Sequence, residues 1–435
     1  MRKFLYGQTD NAPLVLFRIF FGFLLACETL GAVLTGWVTQ NFIEPKFTFS
    51  HIGMEWLQPL PGYGMYICFI IMSVLGIMVM LGYKYRFSII SFTVLWAAVY
   101  FMQKTSYNNH YYLLLLISLI MCFMPANRYK SIDAAQHPEI KQYTMPAWCR
   151  WVMVAQISAV YFFATIAKLY PDWLNGSFTH QLLANEAGTG ITAEVITSQG
   201  FALFIAWAGI AFDLLVVPLM LYKRTRTIAL VASIIFHVFN SINLKIGIFP
   251  FFALSFAVFL YPPATISRIF FKHKPRIVTD VPYTGQTVFR YFFVPYLLLQ
   301  LFLPLRHYFI KGDVLWTEEG HRLSWRMMLR SRTGHTNFEI KDKATGKELR
   351  YNLIDNLTPK QLQVMAAHPD MIWQMAQRIK KHFAAKGIEA AVYAHSETSV
   401  NQGEYRALIN PKTDLASADY HYFGHAPWIL LYEED

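Results

Sequence analysis

A lysine closes one of the longest apolar runs in the chain. The stretch from Trp148 to Lys168 is long enough to cross a bilayer, and two other apolar runs carry Asn109-His110 and His237. An ammonium at membrane depth costs at least ~2.5–3.5 kcal/mol on insertion scales, so a lysine there is by default read as a functional group. Burial favours the neutral form of an amine, which can then take a proton from a weak acid. Imidazoles beside it can donate hydrogen bonds to an oxygen that gains negative charge. These residue types together point to proton chemistry on an apolar substrate. Each residue has a second reading. Lys168 near a helix end can snorkel to the interface, His110 can be an interfacial histidine, and His237 can be bonded to a backbone carbonyl. Arg18, Glu28 and Asp213 also lie in apolar runs. Buried charges need partners, so Arg18 is expected to be structural and to pair with Asp213.

The elements that must position these groups are membrane helices. Hydrophobic residues make up 55% of the chain and charged ones only 15%, against roughly a quarter charged in soluble proteins; the mean hydropathy is +0.30. About nine apolar segments approach the ~20 residues that cross a hydrocarbon core. They are Leu14–Gly36, Tyr63–Gly82, Phe87–Gln103, Asn109–Met124, Ala147–Leu169, Phe201–Tyr222, Thr227–Asn243, Ile246–Tyr261 and Val288–Leu305. The seventh and eighth, barely separated by Asn243-Leu-Lys245, read equally as short or tilted helices. Cys27, Cys68, Cys122 and Cys149 all fall within or beside these runs without metal-type spacing, and read as small apolar residues. Met1-Arg-Lys precedes polar residues and the first run is a full span, which predicts an uncleaved anchor rather than a leader peptide.

Loop charge orients the bundle. With the N terminus cytoplasmic, the inner loops hold Arg2, Lys3, Lys84, Arg86, Arg128, Lys130, Lys141, Lys223, Arg224, Arg226, Arg268, Lys272, Lys274 and Arg276. The outer loops hold little more than Lys46 and Lys245, and the longest has only Asp172, Glu186 and Glu194. This asymmetry follows the positive-inside rule and accounts for the net charge of +11 without nucleic acid. An odd number of spans places the chain after Leu305 outside. Asn109, His110 and Lys168 then fall near the outer side, with His237 about halfway along its span and Asn240 one turn further out on the same face.

From Arg306 the composition is that of a soluble module, dividing the chain into a membrane domain, 1–305, and an extramembrane α+β domain, 306–435. Phe338–Tyr351 alternates and turns at Ala-Thr-Gly, as a β-hairpin does. Thr358-Pro359 reads as an N-cap followed by proline at the first helical position. The helix it opens is interrupted at His368-Pro369 and stopped by Gly387, with strands at Ile388–Val400 and Tyr405–Ile409.

At the polar residues the chain resembles the vitamin K-dependent γ-glutamyl carboxylases and the bacterial transmembrane proteins related to them. The matching stretches are Tyr107-Asn-Asn-His110-Tyr-Tyr-Leu, Phe123-Met-Pro-Ala-Asn127 through Asp133, Ala167-Lys168-Leu-Tyr-Pro-Asp172-Trp173-Leu-Asn-Gly176 and Phe236-His237-Val-Phe-Asn240-Ser241. Phe17-Arg18-Ile-Phe-Phe-Gly22 resembles the opening span. Leu323-Ser-Trp325-Arg326-Met327-Met328-Leu-Arg330-Ser-Arg332 and Asn410-Pro-Lys-Thr-Asp414-Leu resemble the extramembrane motifs. The resemblance implies Lys168 as catalytic base, with Asn109, His110 and His237 around a quinone and Asn240 among the ring contacts. It implies that Trp325, Met327, Met328, Arg330 and Arg332 hold a glutamate-bearing protein or peptide. The implied cofactor is reduced vitamin K, phylloquinol or menaquinol, with O2 and CO2 as co-substrates and no metal. The implied reaction oxygenates the hydroquinone to its epoxide, and the strong base formed on the way removes a γ-proton from glutamate for carboxylation.

The chain departs from the animal carboxylases on the protein-substrate side. Those enzymes continue beyond the region matching Pro427-Trp428 and carry an extramembrane disulfide that these cysteines cannot form. Arg330 stands where their motif has histidine, and Arg326 where it has aspartate. A quinol epoxidase that carboxylates no protein therefore stays open beside the carboxylase reading. So does a transporter or scaffold, although no internal repeat of the transporter kind is visible. A bacterial inner membrane and an endoplasmic reticulum membrane fit equally well.

Overall fold

The computed structural model describes residues 2–186, 191–244, 247–275 and 285–432. Lys245 and Arg276, used above to orient the loops, lie outside the described residues. Among the described residues, six helices are long and apolar enough to cross a membrane: Ala12–Leu34, Gly64–Leu81, Tyr85–Met102, Ala147–Ala167, Gln199–Leu221 and Gln286–Phe309. The remaining apolar segments also form helix, but not straight full-length spans. Asn109–Met121 has 13 residues, about 20 Å at 1.5 Å per residue and short of a ~30 Å hydrocarbon core. Arg226–Ile242 is likewise a shorter apolar helix. The eighth segment continues as Phe249–Leu260 and then bends by 112° into Pro263–Phe270. The bend has a covalent cause: prolines 262 and 263 follow Tyr261, which is extended at φ −79, ψ 155.

The chain forms two compact units. The first comprises Met1–Trp37, Tyr66–Ala97 and His110–Leu301, the second Val38–Met65, Ala98–Asn109 and Phe302–Asp435. In the first, the helices of Gly22 and Gly76 meet backbone to backbone. A Cβ on Gly22 would lie 2.3 Å from the Met80 nitrogen, and one on Gly76 would lie 2.7 Å from the Ala26 nitrogen. Small residues permit this approach, which is how apolar helices gain contact inside lipid. The expected pairing of Arg18 with Asp213 is not formed. Arg18 is fully buried and donates from Nη2 to the Lys130 carbonyl at 2.6 Å, while Asp213 pairs with Lys168. Loop backbone therefore provides the acceptor that a carboxylate was expected to provide. Within the Asn127–Asp133 motif, the Asp133 carboxylate accepts from the Lys84 nitrogen at 2.7 Å and the Tyr85 nitrogen at 3.0 Å. It thereby caps the Tyr85–Met102 helix, so this stretch is structural.

The second unit is built on a four-stranded antiparallel sheet in the order Glu348–Leu349, Arg332–Asp342, Ala390–Val400, Arg406–Ala407. Thr358 caps the Pro359–Ala366 helix in a reciprocal box with Gln361. After the break at His368-Pro369, the Pro369–Ala384 helix buries Met371, Met375, Ile379 and Phe383 in a core shared with Ile340, Val392 and Ala394. Apolar residues three to four apart make that face. The Asn410–Leu415 motif is an anchor: the Asp414 carboxylate accepts from the Val392 nitrogen at 2.9 Å and the Ala416 nitrogen at 3.0 Å.

Candidate active site

Lys168 follows the last residue of the Ala147–Ala167 helix and caps it in the right-handed region. Pro171 ends the turn and opens the short Pro171–Leu174 helix, which folds Trp173 back so that Lys168 Nζ stands 5.2 Å from its ring centroid. Trp173 is held there by its indole N–H, which donates to the Ala206 carbonyl at 3.0 Å. The lysine is buried rather than snorkelled, and its Nζ lies 2.6 Å from Asp213 Oδ2. Asp213 projects from the Gln199–Leu221 helix and is itself buried.

From this pair an aromatic series reaches both histidines. Phe212, next to Asp213, makes edge contacts with Tyr161 at 5.9 Å and His237 at 5.8 Å between centroids. The Tyr161 hydroxyl lies 3.1 Å from His237 Nε2. Phe249 then stands 6.3 Å from His237 and 5.5 Å from His110. His237 is 2% exposed, and its Nδ1 has no hydrogen-bond partner among the described residues. That orphan is informative, because a buried polar atom without a partner costs about 1–3 kcal/mol unless something else meets it. Tyr111, beside His110, hydrogen-bonds the carboxyl of Glu28. Asn240 stands three residues beyond His237 on the same Arg226–Leu244 helix and is partly buried.

Asn109 belongs to the second unit. Its amide donates to the Arg326 carbonyl at 3.0 Å, and its Oδ1 accepts from the Tyr107 hydroxyl at 3.1 Å. The same hydroxyl accepts from the Leu323 nitrogen at 2.8 Å. Residues 107–109 thus clip the tryptophan motif in place. That motif is unusual in its backbone, since Leu323, Trp325 and Met328 have positive φ, at 61, 57 and 50 degrees, as does Glu318 just before it, at 62 degrees. Each such residue costs of order 1–2 kcal/mol, so the surroundings must impose the shape.

Buried ion pairs supply that constraint. Arg330 grips Glu318 with two N–H groups. Arg332 lies 3.7 Å from Glu318 and donates to the carbonyls of Leu315, Trp316 and Ala367. Asp370 accepts from Lys104 and from Arg322, each at 2.5 Å. Burial alone would raise the Glu318 carboxyl, but the guanidinium groups of Arg330 and Arg332 outweigh it and hold it well below the carboxylate range. Arg322 and Lys104 do the same for Asp370 against its burial. Burial keeps His321 and His368 neutral, lowering His368 to about 4. Trp325 is completely buried, Met327 partly so, and Met328 is 39% exposed. Among the described residues, no three His, Cys, Asp or Glu side chains are grouped to hold a metal ion.

Two family models match, and between them they account for nearly the whole chain. Residues 6–264 match the HTTM domain, and residues 285–435 match the lumenal domain of vitamin K-dependent gamma-carboxylase. The chain belongs to the vitamin K-dependent gamma-carboxylase family. This gamma-carboxylase homologue is thus an integral membrane protein from an enzymatic family. No solved structure matches it significantly.

Sequence reasoning singled out Lys168, His110 and His237 but not the groups that join them. Asp213 enters there only as an expected partner for Arg18, and nothing in the sequence pattern distinguishes Tyr161, Phe212 and Phe249 from the other aromatics of the apolar runs. A carboxylate in an apolar run is itself a signal. Which cation it meets depends on helix packing, and hydropathy does not report that.

Proposed function

We propose that this protein oxygenates a reduced vitamin K-type hydroquinone, phylloquinol or menaquinol, to its epoxide and couples that reaction to carboxylation of protein glutamate. The observation carrying this reading is the buried Lys168–Asp213 pair at 2.6 Å, joined through aromatic rings to a histidine whose Nδ1 is an orphan. These groups fit a flat apolar ring that bears polar oxygens: rings for its faces, and an unsatisfied imidazole atom for an oxygen. Reduced vitamin K, when bound, supplies together with O2 the strong base that takes the glutamate γ-proton before CO2 adds.

The protein's own residues would do the rest. Lys168 Nζ takes a hydroxyl proton once its own has passed to Asp213 Oδ2, a transfer that the short contact permits. His237 and His110 donate to oxygen as charge develops, where exclusion of water makes such bonds strong. Asn240 contributes a further polar contact on the His237 helix. Phe212, Phe249 and Trp173 exclude water. Asn109 serves the reaction by holding the Arg326 carbonyl, and with it the motif of Trp325, Met327, Met328, Arg330 and Arg332 proposed to receive the glutamate-bearing peptide. In this reading the 306–435 domain lies outside the membrane and the N terminus is cytoplasmic, supported by the loop charge.

A second reading rests on one observation. Arg330 and Arg332 are already engaged by Glu318 and backbone carbonyls, which leaves their guanidinium groups partly committed before any peptide arrives. A quinol epoxidase without protein carboxylation would retain Lys168 and the histidines and need no peptide groove. Purified protein given hydroquinone, O2, labelled CO2 and a glutamyl peptide separates the two. Epoxide with fixed label supports the carboxylase, epoxide alone supports the second reading, and no epoxide defeats both.

A further inference from the structure

We propose that the second unit carries a binding site for the headgroup of an anionic phospholipid. The site is a cavity of about 820 Å³ between residues 42–62 and the Pro369–Ala384 helix. Lys46, Arg378 and Lys381 line it against one carboxylate, Glu55. Arg378 and Lys381 are spaced i, i+3 and share a helix face. The Arg378 guanidinium lies 3.6 Å from the Phe47 ring centroid and hydrogen-bonds the Tyr351 side chain, which together fix the cation, while its five N–H donors exceed what one phenol oxygen can take. Glu55 is engaged locally by the Gly53 nitrogen at 3.0 Å and the Gln374 amide at 3.3 Å. Lys46 and Lys381 have no carboxylate partner among the described residues. The charge therefore calls for an anion.

What lies beside the cavity selects a lipid over an acidic peptide. Leu60 lines the cavity and is 52% exposed, while Trp56 and Tyr63 nearby are 78% and 79% exposed. Tyr63 immediately precedes the Gly64–Leu81 span. Exposed tryptophan and tyrosine at the mouth of a membrane helix are the side chains that settle at the headgroup level. Cations clustered beside such a mouth attract anionic lipid. An acidic peptide would use the cations but has no need of an apolar shelf leading into a span.

The test uses the full chain in mixed micelles containing equal phosphatidylglycerol and phosphatidylcholine, with bound lipid read by native mass spectrometry. The wild type should retain phosphatidylglycerol with roughly tenfold preference. K46Q/R378Q/K381Q should lose that preference, and so largely should K46Q/K381Q, which leaves the Arg378 stack intact. A distal control, K347Q/R350Q/K412Q, should keep it. An unchanged preference in the cavity variants overturns the proposal. So does displacement of phosphatidylglycerol by a soluble hexaglutamate peptide at micromolar concentration, which would make the occupant a peptide.

Discussion

The contact between Lys168 and Asp213 ties one side chain to two jobs that a single deletion would confuse. An arginine at 168 keeps a cation for Asp213 but cannot surrender a proton at any accessible pH. Lys168→Arg should therefore preserve thermal stability while epoxide formation falls at least ~100-fold, the scale of general-base catalysis. Turnover near wild type in this variant would remove the base assignment. Breaking a buried pair from one side typically costs about 3–5 kcal/mol, whereas replacing both partners by apolar groups is often neutral. The double variant Lys168→Met/Asp213→Leu should accordingly melt above Lys168→Met alone, although both are inactive. At this scale the sequence exposed the reactive types well, because an amine or imidazole in an apolar run is conspicuous. Partners were hidden: Lys168 and Asp213 are 45 positions apart, and only the packing of two helices decides that they meet.

Helices were the most legible elements, since apolar length and proline position are local properties. The Thr358-Pro359 start, the break at His368-Pro369 and the stop at Gly387 all stand where the residues put them. The bend after Leu260 is equally local in cause, yet a hydropathy window averages across it. Close helix contact gives a prediction for this scale. Gly22→Val forces a Cβ into the Met80 backbone and should cost about 1–3 kcal/mol, the range for overpacking, seen as a lowered melting midpoint in detergent. Gly31→Ala on the same helix meets nothing within 4 Å and should be close to neutral. Equal effects from the two substitutions would show that this helix contact does not carry stability.

On the scale of the whole molecule, composition separated an apolar part from a soluble one but could not see that 38–65 and 98–109 fold with the latter. Lys104 reaches Asp370 across 266 positions, and no local pattern announces such a contact. The buried charges of this unit predict an acid response. His321 and His368 are lowered by burial, so the unfolded chain binds their protons first, below about pH 6.5, and stability declines from there as pH falls. Glu318 and Asp370 are depressed by their cationic neighbours. Their contribution is full above about pH 4.5 and is lost as pH drops through their lowered values. Hydrogen exchange in the Arg332–Asp342 and Ala390–Val400 strands, corrected for intrinsic rate, should show opening that eases steadily below pH 6.5 and steepens below pH 4.5. Protection unchanged down to pH 4 would refute this assignment.

The left-handed residues in and just before the tryptophan motif carry a further implication. Glu318, Leu323, Trp325 and Met328 adopt backbone angles that are natural to amino acids of the opposite chirality. A linear peptide copied from this stretch would relax away from the shape that the folded protein enforces. A synthetic mimic intended to compete with it would need D-residues at those four places and L-residues elsewhere.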